Sequence, residues 1–293
     1  MKHFIHDHLD FEYYCDGPDN GEPVVLLHGF PQNASCWHAV VPILAASGYR
    51  VLALNQRGYS PGARPRPVSS YRITKLVSDT VAFIKQVGGG KVHLVGHDLG
   101  GEVAWIVACT VPDVVQSLTI VSTPHPRALT RALFTTDQLI RSWYLSFIQL
   151  PVIPEKIFRA RHGEIAVWLL GRFGLENSLA RQYVDYLLVS PGALRAAINW
   201  YRAFPLEPRL IFAAPRISTN TQLIWGTNDA VVTREVADLT QRYVSGPYRF
   251  SILQDISHWI PDQAPDQLSE LILKQARSYP IAITSADQSD PRS

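Results

Sequence analysis

Short apolar, β-rich runs alternate with segments of helical period along the chain; the alternation stops once, near Arg127, and resumes near Thr221. Runs at His3–His8, Phe11–Asp16, Pro23–Leu27, Arg50–Leu54, Lys91–His97 and Ser117–Ser122 read as strands. Helical patterns stand at Ala34–Ser47, Ile73–Val87 and Leu99–Thr110. Strand–helix alternation of this kind predicts an α/β fold with a mostly parallel sheet covered by helices on both faces. From Arg127 to Arg216 the sequence offers helical runs and prolines but no core strand, as expected of a helical lid inserted into the core. Strands at Thr221–Trp225 and Tyr248–Leu253 and helices at Arg234–Tyr243 and Pro261–Arg277 then complete the pattern. The expected organisation is a core over 1–126, a helical cap over 127–216, a second core part over 217–280 and a loose polar tail over 281–293.

In an open parallel sheet the ligand crevice lies beyond the carboxyl ends of the strands, so the loops that follow strands are the places to look for chemistry. Three of them carry reactive side chains. The Lys91–His97 run ends in Gly96-His97-Asp98-Leu99-Gly100, the G-x-S-x-G nucleophile elbow with aspartate in the central place. "GTNDAVV" offers Asp229 and "QDISHWIP" offers His258, so nucleophile, acid and base follow one another in α/β-hydrolase order. Asp255 is an alternative acid, too close before the histidine to come from a separate strand end. Histidines 28, 93, 97 and 125 are placed near the same strand ends; His28 and His97 read as structural, and His125 competes as base. The loop "LLHGFPQ" can turn backbone N–H groups inward, and those of Phe30 and Leu99 are the expected oxyanion hole.

Composition narrows the partners. With 46% hydrophobic residues, 293 residues bury a large core, and a formal charge of +2 without a Lys/Arg block argues against nucleic acid or an anionic membrane surface. No apolar run reaches the length of a bilayer span, and the start lacks a signal-peptide core, so a cytoplasmic location is expected. Cys15, Cys36 and Cys109 fit neither a disulfide framework nor a metal spacing; free buried thiols are expected, with no metal site.

The segments "HGFPQ", "NQRGYSPGARP", "GHDLGG", "NWYRA", "GTNDAVV" and "SHW", in this order, resemble the soluble epoxide hydrolases of the α/β-hydrolase superfamily over nearly the whole chain. That resemblance implies a triad of Asp98, Asp229 and His258, and two cap tyrosines that grip the epoxide oxygen. Tyr201 in "INWYRA" matches one; Tyr144 in "SWYLSFIQLP" matches the other by its spacing to Pro151, with Tyr183 and Tyr186 as alternatives. It also implies a cis bond at Phe30-Pro31. Leu99 departs from the family pattern, where an aromatic commonly follows the nucleophile. Phe30, Trp143, Phe147 and Trp259 are the expected substrate-pocket residues, suited to apolar epoxides.

The aspartate suits this chemistry because an ionised carboxylate attacks the strained epoxide carbon without a base to deprotonate it first. The tyrosines would act as acids to the ring oxygen, and water activated by His258 would hydrolyse the resulting ester to a vicinal diol. No metal or organic cofactor is needed; the expected partners are a small apolar epoxide and water, and a homodimer is compatible with this reading. Dehalogenases are the nearest rivals. Leu99 and Phe30 stand where haloalkane dehalogenases place halide donors, and Leu99 stands where fluoroacetate dehalogenases place an arginine. An esterase is disfavoured because carboxylate attack on an ester yields an anhydride. A non-catalytic hydrolase-fold ligand-binding protein would be marked by a broken triad, and here all three residues are present.

Overall fold

The computed structural model describes residues 1–133 and 137–281, without the side chains of 211 and 212; all but the first residue of the expected polar tail lies outside this range. Eight strands form one sheet: β1 (Lys2–His6), β2 (Leu9–Asp16), β3 (Pro23–Leu27), β4 (Arg50–Leu54), β5 (Val92–His97), β6 (Val115–Val121), β7 (Asn220–Gly226) and β8 (Tyr248–Leu253). Their spatial order is β1-β2-β4-β3-β5-β6-β7-β8. β2 runs antiparallel to β1 and β4, and every pairing from β4 to β8 is parallel. β3 and β5 at the centre are buried along nearly their whole length, which is why they read as continuous apolar runs rather than alternating ones.

The core helices are α1 (Val40–Ala46), α2 (Ile73–Gln86) and α3 (Leu99–Thr110) before the insertion, and α12 (Arg234–Leu239), α13 (Ile260–Gln263) and α14 (Pro265–Ser278) after it. Three expected continuous helices are broken, that at Arg234–Tyr243 passing into a 3-10 turn at Thr240–Tyr243. The first opens as a 3-10 turn at Ala34–Trp37, because the Asn33 side chain accepts from Ser35 N and Asn55 Oδ1 takes the N–H of Ala34. The last divides before Pro265, whose ring forces Ala264 out of the helical region, to φ −137° and ψ 51°. Between β6 and β7 the described chain is helical: α4 (Pro126–Leu133), α5 (Gln138–Arg141), α6 (Trp143–Ile148), α7 (Ile153–Arg159), α8 (Glu164–Arg172), α9 (Asn177–Val189), α10 (Ala193–Ala203) and α11 (Pro208–Phe212).

Parallel strands all end on one edge of the sheet, so the loops after β3, β5, β6, β7 and β8 converge there and α10 and α6 are packed above them. Among the described residues no helix is long and apolar enough to cross a membrane. Cys36 is buried, Cys15 and Cys109 are half-buried, and all three are free.

Candidate active site

The elbow after β5 holds Asp98 at φ 51° and ψ −124°, a strained turn for a residue with a side chain, and α3 starts at the next residue. Glycines let neighbouring chains reach it. A Cβ on Gly29 would lie 2.4 Å from both Cβ and Oδ1 of Asp98, and one on Gly100 would lie 2.4 Å from the carbonyl oxygen of Leu27. The Phe30-Pro31 bond is cis, and the Phe30 N–H donates to Asp98 Oδ1 at 2.8 Å. The Leu99 N–H supports the same carboxylate. The Phe30 N–H foreseen for an oxyanion hole therefore already holds Asp98 Oδ1, and the Leu99 N–H lies against the same carboxylate.

The other oxygen, Asp98 Oδ2, lies 3.4 Å from His258 Nε2, while His258 Nδ1 lies 3.0 Å from Asp229 Oδ2. Asp229 is fixed in turn, its Oδ1 accepting the N–H groups of Val231 and Val232 at 2.8 Å each. Burial works against charge on His258 and Asp98. For His258 the two flanking carboxylates outweigh burial and push its pKa up to about 10, so the resting ring is an imidazolium. Burial likewise opposes ionisation of Asp98, but the His258 contact outweighs it and holds the carboxyl below its ordinary range. Asp98 is thus ionised at neutral pH.

Tyr144 on α6 and Tyr201 on α10 face Asp98 from above, their rings 6.3 Å apart in an edge-to-face arrangement. Burial and the Asp98 charge push both phenols above their ordinary range. The alternative tyrosines of α9 are engaged elsewhere. Tyr183 donates to Asp262 Oδ1 at 2.7 Å, and Tyr186 donates to the carbonyl of Tyr59 while accepting from Arg64.

The other histidines and Asp255 lie outside this constellation. His28 contacts the Gly29 carbonyl and accepts from Gln56 N, and His97 is held between Gln32 and the His258 carbonyl. His125 accepts from Arg127 N, contacts the Pro215 carbonyl and stacks on Tyr243. His93 corrects the sequence expectation: it stands near the amino end of β5, beside Glu22 and Ser117, away from the carboxyl edge. Asp255 is exposed.

Two cavities flank Asp98 and share Tyr144, Tyr201, Val231 and His258. The smaller, about 70 Å³, is lined by Phe30, Trp143, Phe147 and Trp259, the four aromatics named from the sequence. The larger, about 310 Å³, was not foreseen. It runs over the start of α3 and is walled by Leu99, Glu102, Thr123, Leu129, Leu145 and Phe204 among others. Most of these are ordinary apolar positions with no sequence signal. Glu102 is the exception, an acid four residues after the nucleophile in an otherwise apolar helix. Among the described residues no group of three or more His, Cys, Asp or Glu side chains could hold a metal ion.

The alpha/beta hydrolase fold family matches residues 22–265. Epoxide hydrolase 4 of Homo sapiens is 34% identical over 279 residues, covering 90% of this chain and 75% of that protein. The chain belongs to the epoxide hydrolase family. The AB hydrolase superfamily protein YfhM of Bacillus subtilis (strain 168) is also 34% identical, over 267 residues that cover 89% of this chain and 92% of that protein. A crystal structure of a Bacillus megaterium epoxide hydrolase with an inhibitor superposes with a TM-score of 0.83 at 23% identity, covering 94% of this chain and 100% of that one, a likeness of fold. This epoxide hydrolase family member thus has the α/β-hydrolase fold with an ionised aspartate at its elbow.

Proposed function

We propose that the chain hydrolyses an apolar epoxide to a vicinal diol through a covalent ester on Asp98, with α4–α11 acting as the cap over the reaction. The observation that carries this reading is the division of labour between the two carboxylate oxygens. Oδ1 accepts the Phe30 N–H at 2.8 Å, while Oδ2 is turned to His258 Nε2 at 3.4 Å. Attack by Oδ2 on an epoxide carbon breaks the C–O bond of the ring and leaves Oδ1 as the ester carbonyl, already seated where charge develops when water adds to Cγ.

Proton flow follows from the pKa shifts. Tyr144 and Tyr201, with phenols made less acidic by burial and the Asp98 charge, act in ring opening as hydrogen-bond donors to the oxygen. A phenol supplies the proton that the opened ring retains and recovers one from solvent, and His258 gives up its own proton once the ester has formed. Esterification removes the negative charge of Asp98, one of the two charges that kept His258 protonated, so the ring becomes a base when a base is needed. It then takes a proton from water, the tetrahedral intermediate expels the diol oxygen, His258 protonates it, and the remaining carboxyl proton returns to His258.

The test is a panel of apolar epoxides, haloalkanes and esters assayed for diol, halide and acid release, with wild type and Asp98→Ala. Diol release by wild type and none by a folded Asp98→Ala is the expected result. Halide release in place of diol, or diol formation by the folded variant, would overturn the proposal.

A further inference from the structure

Among the described residues, the unforeseen chamber contains one ionisable group that the proposed reaction does not use. Glu102 is only 8% exposed, in the first turn of α3, and its N–H donates to the carbonyl of Asp98 at 3.1 Å. Four residues of helix separate it from the nucleophile by about 6 Å along the axis. Neighbouring polar side chains of the chamber wall are already engaged within the protein. Ser122 donates to the His258 carbonyl, Thr123 to those of Asp98 and Val121, Thr130 to that of Pro126, and Gln149 to that of Tyr201. Among the described residues, only burial and the Asp98 charge act on the Glu102 carboxyl, and no hydrogen-bond partner holds it.

We infer that Glu102 is a specificity-determining residue: the chamber over α3 takes the longer arm of the substrate, and that arm carries a neutral hydroxyl or primary amide that pairs with the Glu102 carboxyl. The inference rests on the epoxide reading for the other end of the substrate. Burial and Asp98 together push the Glu102 pKa up to about 8, so at neutral pH the group is mainly a carboxylic acid, with one O–H donor and a carbonyl acceptor. A hydroxyl or primary amide satisfies both. An alkyl arm leaves both unpaired among apolar walls, where a buried polar group without a partner is costly. A carboxylate arm would face Asp98 and Glu102, with no cation among the described residues of the chamber wall except His258, already paired to two aspartates. An ammonium arm would need Glu102 ionised and would also be drawn to Asp98, masking the nucleophile. A volume of about 310 Å³ is at the small end of ligand sites, which suits a short arm.

The experiment compares matched epoxides that differ only in the end of one arm: methyl, hydroxyl, primary amide or ammonium. The readout is the ratio of kcat/KM for each polar arm to that for the methyl arm, in wild type, Glu102→Leu and Glu102→Gln. Calorimetric titration of the corresponding diols gives the same ratios from Kd without turnover. We expect the hydroxyl and amide ratios to fall about tenfold or more in Glu102→Leu and to be largely retained in Glu102→Gln, which keeps a neutral donor and acceptor. Equal ratios in all three proteins would overturn the inference. So would a preference for the ammonium arm that Glu102→Gln abolishes, since that would make the chamber a cation site. Diol-binding ratios that follow Glu102 support the inference even where no epoxide is turned over, in which case the epoxide reading alone fails.

Discussion

Replacing Asp229 with asparagine keeps the shape of the site and changes which nitrogen of His258 carries a proton. In the native site Asp229 Oδ1 accepts two backbone N–H groups at 2.8 Å, and Oδ2 faces His258 Nδ1 at 3.0 Å. Asparagine has one oxygen to offer. Pointing its amide nitrogen at Val231 and Val232 would leave two buried N–H groups unpaired, at about 1–3 kcal/mol each, so the oxygen stays with the backbone and the NH2 faces Nδ1. His258 must then accept at Nδ1 and carry its proton on Nε2, the nitrogen beside Asp98 that has to take a proton from water. A base locked in the wrong tautomer costs about 10⁴ in other hydrolases, about 5 kcal/mol of barrier. The loss falls mainly on ester hydrolysis, because Asp98, the two N–H donors and both tyrosines are untouched. Rapid-quench kinetics with excess epoxide should show a near-stoichiometric first phase followed by turnover about 10³- to 10⁴-fold slower than wild type. Intact-protein mass should rise by the mass of the substrate. A loss below about tenfold with no adduct, or ester formation slowed as much as turnover, would refute the reasoning.

Tyr144→Phe and Tyr201→Phe should each slow ester formation by about 10²-fold, the usual loss for one donor to a developing oxyanion, and the double variant should nearly abolish it. Single-turnover rates check this, and a silent Tyr144→Phe beside an impaired Tyr183→Phe would contradict the placement. Glu102→Gln should stabilise the protein more at pH 8 than at pH 4.5, read as the difference in Tm between variant and wild type. The folded pKa of about 8 lies above the ordinary glutamate value of 4.5, so the folded state holds a proton the unfolded chain has lost, and wild-type stability falls as pH rises between the two. A pH-independent difference would show that Glu102 does not titrate this way.

The sequence discloses this site well where chemistry is tied to strand ends, and poorly where it depends on packing. β3 and β4 occupy the residues expected from their apolar runs, as does α3, because inner parallel strands and a helix buried along most of its length carry their burial in their composition; the half-buried edge strand β8 also occupies its expected residues. Asp98, Asp229 and His258 each follow a strand, so the topology that sets strand order brings them together. The interruptions at Asn33–Trp37 and Pro265 depend on side-chain capping and a ring constraint that helical periodicity does not report. The larger chamber was hidden for another reason. Its wall draws Leu129, Leu145 and Phe204 from three separate helical segments, and nothing in their local sequence marks them as neighbours. Glu102 was visible as an acid in an apolar helix, and only the fold shows that it faces the nucleophile's cavity.

The covalent ester on Asp98 is the centre of the account, and oxygen labelling tests it most directly. With enzyme in excess over epoxide in ¹⁸O-water, a single turnover sends Asp98 Oδ2 into the diol and leaves the oxygen from water on the aspartate. The label should appear in the peptide containing Asp98 and be nearly absent from the first-turnover diol. His258→Gln, which lacks the base, should hold the alkyl adduct on that same peptide. Label in the first-turnover diol, with an unlabelled Asp98 peptide and no adduct in His258→Gln, would contradict the account and make Asp98 a base that delivers water directly to the epoxide.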